Sequence, residues 1–331
     1  MNLTGSGPLW PNYVTSSNEC DYMWRNLLLV ENLFSLWDDK HYCFGWGWYL
    51  SNDFQIFFAS LFAFFLYGVK PILGKLMIIL MMVGTLAAGL GLVIDKEYGI
   101  YPYDIFTFLF SDFFSKYYTK PWYRAPPYLF GILFGMYYRE FINSKDDLGV
   151  HHTTLLYKVK SFIIKFWFGK YLFYIYGLFI VFFFTFYPRV YQNDHDAWTS
   201  GGIYFWITFQ RLIYISGLNF LLMSNFLELK DYIGIVLSWK PLGVISKLTF
   251  CGYLVHYMVI QRSVYNTRQS LYLNYENVHY FYFSDLFLTL FGAAVLSLFV
   301  EIPFINIEKL FMSGKTPKNI VKEVKEKGDI K

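Results

Sequence analysis

The chain has 331 residues and is 56% hydrophobic, 23% aromatic and only 16% charged, with a net charge of +4. A soluble domain carries about 25% charged residues, so this composition excludes an ordinary water-soluble globule, and the absence of a basic cluster argues against a nucleic-acid partner. It predicts an all-α, polytopic transmembrane helix bundle of about seven spans with lipid as its solvent.

In chain order, residues 1–52 read as an outer segment. Its start, MNLTGSGPLWPNYV, lacks the charged and apolar regions of a signal peptide. Trp10, Trp24, Trp37, Trp46 and Trp48 fall in this segment, a density that suits the membrane interface. Cys20 and Cys43 lie on the same side, where oxidising conditions permit a disulfide; two buried free thiols are the alternative. The third cysteine, Cys251, falls in a span and reads as a small unpaired hydrophobe. No cysteine or histidine spacing suits a metal.

Residues 53–311 hold the predicted spans, approximately 54–69, 76–94, 127–138, 171–187, 203–223, 241–260 and 283–302. The third carries Gly131 and Gly135, a GxxxG spacing that either admits a neighbouring helix or is ordinary membrane glycine. With the N-terminal segment outside, 17 of the 28 Lys and Arg residues fall inside, nine fall outside, and Arg211 and Lys247 fall within spans. That bias fits the positive-inside rule and predicts a cytoplasmic charged tail at 312–331. The location is an integral membrane, plasma membrane or endoplasmic reticulum.

Ionisable groups at membrane depth are expensive and are candidates for function. Here they include Asp53 with Gln55 at the opening of the first span, Arg211, His256 and Glu301. An imidazole can be tuned for acid–base work, although a histidine hydrogen-bonded between helices is the commoner reading. Arg211 could pair with Asp53 or Glu301, or bind an anion. Glu301 also reads as an interfacial residue at a helix end. No nucleophile elbow and no phosphate-binding glycine loop occurs.

Four stretches carry a resemblance: GSGPLWPNYV with CDYMWRNLLLVENLF and CFGWGWYLSNDFQIF; YYTKPWYRAPPYLFGILFGMYY; LSWKPLGVISKLTFCGYLVHYMVI; and EIPFINIEKLF. In this order they resemble the animal branch of the membrane acyltransferase 3 family, which includes the nose-resistant-to-fluoxetine proteins. The resemblance implies a membrane acyltransferase with acyl-CoA as co-substrate, no bound cofactor, and membrane lipid and acyl-CoA as partners. It implies catalytic roles for His256 and Asp53; Arg211, a charge at membrane depth, is the third catalytic candidate on the ground of its position alone. Substrate-binding roles fall to Trp48 and Gln55 of W-Y-L-x-x-D-x-Q, to Arg124 of K-P-x-x-R-x-x-P-Y, and to Glu301 of E-x-P. It also matches Cys20 and Cys43 to a cysteine pair of that branch. Family members begin with further helices bearing a Gly-His base, which this chain lacks, so it is expected to be N-terminally truncated and inactive or incomplete alone. The contrasting expectation is a non-catalytic membrane protein that binds or carries lipids or small hydrophobes.

Overall fold

The structure is a computed structural model that describes residues 7–8, 10–11, 22–34, 44–99, 112–144, 154–166, 168–188, 198–229, 232–268, 272 and 274–313. Cys20, Cys43, Trp37 and the charged tail beyond residue 313 lie outside the described residues. Among the described residues the regular structure is helical, with no strand.

The chain divides into two compact units, residues 16–237 and residues 1–15 with 238–331. The larger unit holds α1 (Trp48–Val69), α2 (Pro71–Asp95), α3 (Pro121–Asn143), α4 (Leu155–Lys165), α5 (Gly169–Phe186) and α6 (Ser200–Leu221). Local chemistry sets their starts. Pro71 and Pro121 occupy the first turns of α2 and α3 after extended Lys70 and Lys120, positions where a missing N–H costs nothing and the fixed φ helps. Thr154 and Thr199 cap α4 and α6 by accepting the amides of Tyr157 and Gly202.

Every segment predicted to cross is helical, and the third is longer than its apolar stretch. Four helices of the described residues are long and apolar enough to span a bilayer: α1, α2, α5 and the run Tyr275–Met312. A fifth candidate is the pair α7 (Lys240–Lys247) and α8 (Thr249–Tyr265), bent by 63° at its break. α3 and α6 have the length but fall short in apolar character. α3 carries Arg124, Arg139 and Glu140 among tyrosines and prolines, and α6 carries Gln210, Arg211 and Asn219.

In the larger unit α1, α2 and α3 share a core of Ile56, Ala63, Ile78, Leu129 and Met136. At the end of α2 and the start of α3, Val93 of α2, Tyr117 of the π turn Phe114–Tyr118 and Tyr123 of α3 meet Ile207 of α6. Lys75 of α2 reaches Glu140 of α3 at 2.6 Å. The close helix crossing lies elsewhere, between α5 and α6. A Cβ on Gly217 would sit 2.6 Å from Ile180 Cγ2, and one on Gly177 would sit 2.8 Å from the Gly217 carbonyl oxygen. Gly131 and Gly135 meet nothing within 4 Å, so within the described structure their GxxxG spacing makes no helix contact. The outward faces of α1, α2 and α5 are apolar, with Phe58, Leu80 and Phe179 each exposed by more than half. Surface of that kind is stable against acyl chains, whereas water would leave it an aggregation face.

The smaller unit packs α8 against α9 (Tyr275–Leu296). Asn274 caps α9 through the Asn277 amide, and Ser263 donates to Asp285 at 2.7 Å. After α9 the chain winds through one π turn, Ser297–Glu301, before α10 (Ile302–Ser313). π turns widen a helix locally and often mark functional positions.

Candidate functional site

The site of the larger unit is built on the first two turns of α1. Ser51, Asn52 and Gln55 fall on one helical face because residues three and four apart are neighbours there. That face receives the segment that precedes α1. Ser51 Oγ donates to Glu31 Oε2 at 2.7 Å, Asn32 Nδ2 donates to Asn52 Oδ1 at 2.6 Å, and Gln55 Nε2 donates to Asn32 Oδ1 at 2.8 Å. Gln55 also donates to the carbonyl of Leu29 at 2.6 Å. Leu29 has φ of 56°, a left-handed conformation that costs a non-glycine residue about 1–2 kcal/mol, and Gln55 holds the chain in it.

The same cluster fixes the corner that precedes α3. Asn52 Nδ2 donates to the Thr119 carbonyl at 3.0 Å, and Lys120 Nζ donates to the carbonyls of Asn32 at 2.7 Å and Phe34 at 3.1 Å. Glu31, Asn32, Ser51, Asn52, Thr119 and Lys120 are all buried. Leaving one such group unpaired costs about 1–3 kcal/mol, so the cluster acts as a rigid base.

On that base sit the candidate residues. Trp48 packs edge-on against Phe114 and against Tyr118, whose ring centroid is 5.4 Å away. Arg124 Nε donates to the Tyr118 carbonyl at 2.9 Å. Its guanidinium carbon lies 4.0 Å from the centroid of the Tyr118 ring and 5.0 Å from that of Trp48. Arg211, coming from α6, places its guanidinium carbon 5.0 Å from the same Tyr118 ring. Asp53, one turn after Tyr49, lies within electrostatic reach of Arg124. Both arginines, Trp48 and Asp53 are half-buried.

Trp48, Asp53, Arg124 and Arg211 therefore come together, and Gln55 stands beside them as a structural clamp. Arg211 makes no ion pair with Asp53, one of the pairings the sequence left open. Glu301 belongs to the smaller unit and is engaged locally, accepting from Ser297 Oγ at 2.6 Å and from Cys251 Sγ at 3.2 Å. Cys251 is thus a buried free thiol that also donates a hydrogen bond. His256, on α8, turns Nδ1 to the Tyr253 carbonyl one turn back and lies against the rings of Tyr253 and Tyr257. No carboxylate orients its ring among the described residues. Nor, among them, do three His, Cys, Asp or Glu side chains converge as metal ligands.

Tyr118 and the buried base escaped sequence reasoning. The polar trio Ser51, Asn52 and Gln55 opening an otherwise apolar helix was a usable signal for the base. Tyr118 had none, being one of 30 tyrosines.

Glu31 supplies a test of the base. Burial pushes its carboxyl above the ordinary carboxylate range, and the Ser51 hydrogen bond pulls it partly back. A carboxyl raised in the folded state stabilises it fully below its unfolded value and progressively less as pH rises through its folded value. Glu31→Gln keeps an acceptor for Ser51 and removes that titration. Its melting temperature is expected to match or exceed the parent's at neutral pH and to vary less with pH; a lower melting point at neutral pH, with the pH dependence retained, would refute this.

The two elements that converge here, residues 48–55 and 120–128, are far apart in sequence. Comparison with known proteins adds that an acyltransferase 3 domain profile matches residues 5–304. The chain is 24% identical over 277 residues to nose resistant to fluoxetine protein 6 of Caenorhabditis elegans, an alignment covering 79% of this chain and 30% of that protein. No solved structure matches.

Proposed function

The chain belongs to the acyltransferase 3 family, and from that premise we propose that it carries the acceptor site of a membrane acyltransferase, moving an acyl group from acyl-CoA to a hydroxyl. The observation that carries the reading is the meeting of Arg124 with Trp48 and Tyr118 beside Asp53. It joins the W-Y-L-x-x-D-x-Q and K-P-x-x-R-x-x-P-Y elements in one place. In this reading Asp53 accepts the proton of the attacking hydroxyl, and Trp48 and Arg124 orient the acceptor. His256 lacks an orienting carboxylate among the described residues, so it is assigned a supporting part. Radiolabelled acetyl-CoA or a longer acyl-CoA, incubated with the full-length protein in membranes, tests this. Label transfer to an acceptor that Asp53 variants lose supports the reading. CoA release and label transfer both absent, in protein that still binds lipid, would favour a non-catalytic lipid or small-hydrophobe binder or carrier instead.

The seven helical segments are further proposed to cross the bilayer seven times, with the segment before α1 outside and the tail inside. Two observations support α3 and α6 as spans despite their polar residues: Arg124, Glu140 and Arg211 face protein partners, and each helix packs on helices apolar enough to cross. A single cysteine placed at exposed residue 70 or 158 should react with an impermeant maleimide only after permeabilisation; labelling of intact cells at both would reverse the orientation.

A further inference from the structure

Three lysines of the larger unit that turn inward have oxygen partners. Lys75 has Glu140, Lys120 has two carbonyls, and Lys160 lies 3.7 Å from Glu228. Arg124 and Arg211 break that pattern. Both guanidinium groups approach one ring, that of Tyr118, and neither makes an ion pair among the described residues. Arg124 uses Nε on a carbonyl, while its Nη2 is buried with no acceptor. Two like charges turned toward one aromatic ring, with donors unspent away from water, are costly unless an anion joins them. Cation–π contact offsets part of that cost and leaves the N–H groups unsatisfied.

We propose that Arg124 and Arg211 together hold the phosphate of a phosphate-bearing amphiphile, which is the acceptor or lies beside it. This inference rests on the reading of the Arg124–Asp53 region as the substrate site. Phosphate fits better than carboxylate for a geometric reason. A carboxylate offers two oxygens in one plane and is satisfied by a single guanidinium fork, whereas a tetrahedral phosphate presents oxygens in several directions and can accept from two. Asp53 nearby is also negative when ionised, so the pocket keeps a net positive balance for one phosphodiester or monoester. The apolar part of the ligand follows from the surroundings. Trp48, Phe114 and Tyr118 form an aromatic wall. Tyr49, Asp53 and Phe57 occupy successive turns of one face of α1, and Tyr49 and Phe57 are exposed. That face opens toward acyl chains, so the phosphate enters on a lipid.

The probe is radiolabelled oleoyl lysophosphatidate, bound to the purified protein in detergent micelles with no acyl donor present. Binding is expected to be saturable and to resist competition by millimolar inorganic phosphate, by CoA and by uncharged monoolein. Arg124→Gln and Arg211→Gln should each weaken it about tenfold to a hundredfold, the scale of a hydrogen bond to a charged group. Arg124→Lys and Arg211→Lys keep the charge and lose the fork, so they should weaken it less while retaining the parental size-exclusion profile. Undiminished affinity in all four variants would overturn the proposal, as would equal competition by monoolein. Competition by inorganic phosphate or CoA at the same concentration would overturn the lipid assignment and place a soluble phosphate there. Because no acyl donor is present, a protein that binds the probe yet transfers no acyl group keeps this inference and sinks the acyltransferase reading.

Discussion

Asp53→Asn is expected to lower acyl transfer by about 10²–10⁴-fold, the range lost when a general base is removed, with little change in folding. The substitution is nearly isosteric, and Asp53 forms no ion pair among the described residues, so no buried partner is orphaned. The backbone around it is held by Ser51, Asn52 and Gln55, which the change leaves intact. If Asp53 acts on the acceptor, kcat should fall while KM moves little, because proton removal belongs to the transition state and not to ground-state binding. Asp53→Glu should recover part of the activity, since the carboxylate returns at a displaced position. Transfer at the parental rate by Asp53→Asn would remove Asp53 from the mechanism, whatever the fate of the arginine pair.

Gly217→Leu is expected to be the most damaging single change to the fold of the larger unit. Even the first carbon of the new side chain would lie 2.6 Å from Ile180 Cγ2, and the Gly217 carbonyl itself already faces Gly177 at close range. Overpacking costs about 1–3 kcal/mol where neighbours can shift, and here Ile180 Cβ, 2.8 Å from the added carbon, is fixed to the backbone of α5. In a membrane, where helices associate by close packing and not by the hydrophobic effect, loss of such a crossing is felt strongly. Moving α5 from α6 also moves the helix that presents Arg211, less than two turns earlier. The variant should therefore melt markedly lower in detergent and lose binding of phosphate-bearing lipid. Gly131→Leu and Gly135→Leu are the controls. An added Cβ at either meets nothing within 4 Å, so both should stay within about 0.5 kcal/mol of the parent, as surface changes do. Equal damage at all three positions would refute the assigned crossing.

How much was legible beforehand varies by residue. The helices were readable because their apolar runs are long, but the predicted spans open at 76, 127 and 203, later than the starts that Pro71, Pro121 and Thr199 set for α2, α3 and α6. Asp53 and Arg211 stood out because charge inside an apolar run is costly and therefore purposeful. Their relation was not readable. Arg211 read either as one half of an ion pair or as an anion site, and it proved to share Tyr118 with Arg124. Gln55 looked like a ligand-binding group, and its amide is spent on Leu29 and Asn32. GxxxG pointed to Gly131 and Gly135, while the close crossing uses Gly177 and Gly217, which carry no such spacing because each lies on a different helix.

The division has one physical cause. The sequence by itself determined that this is a helical membrane protein, where its helices lie, and which rare polar groups are buried at a cost, since hydropathy, proline and capping act within a few residues of where they are written. Only the tertiary structure decided which of those groups meet. The Arg124–Tyr118–Arg211 arrangement depends on α3 and α6 packing in one register against α2, and that register is set by shape and by hydrogen bonds such as Asn52 to Thr119 across 67 residues. Contacts between distant segments depend on the sum of many small packing terms, and no local pattern of residues encodes that sum.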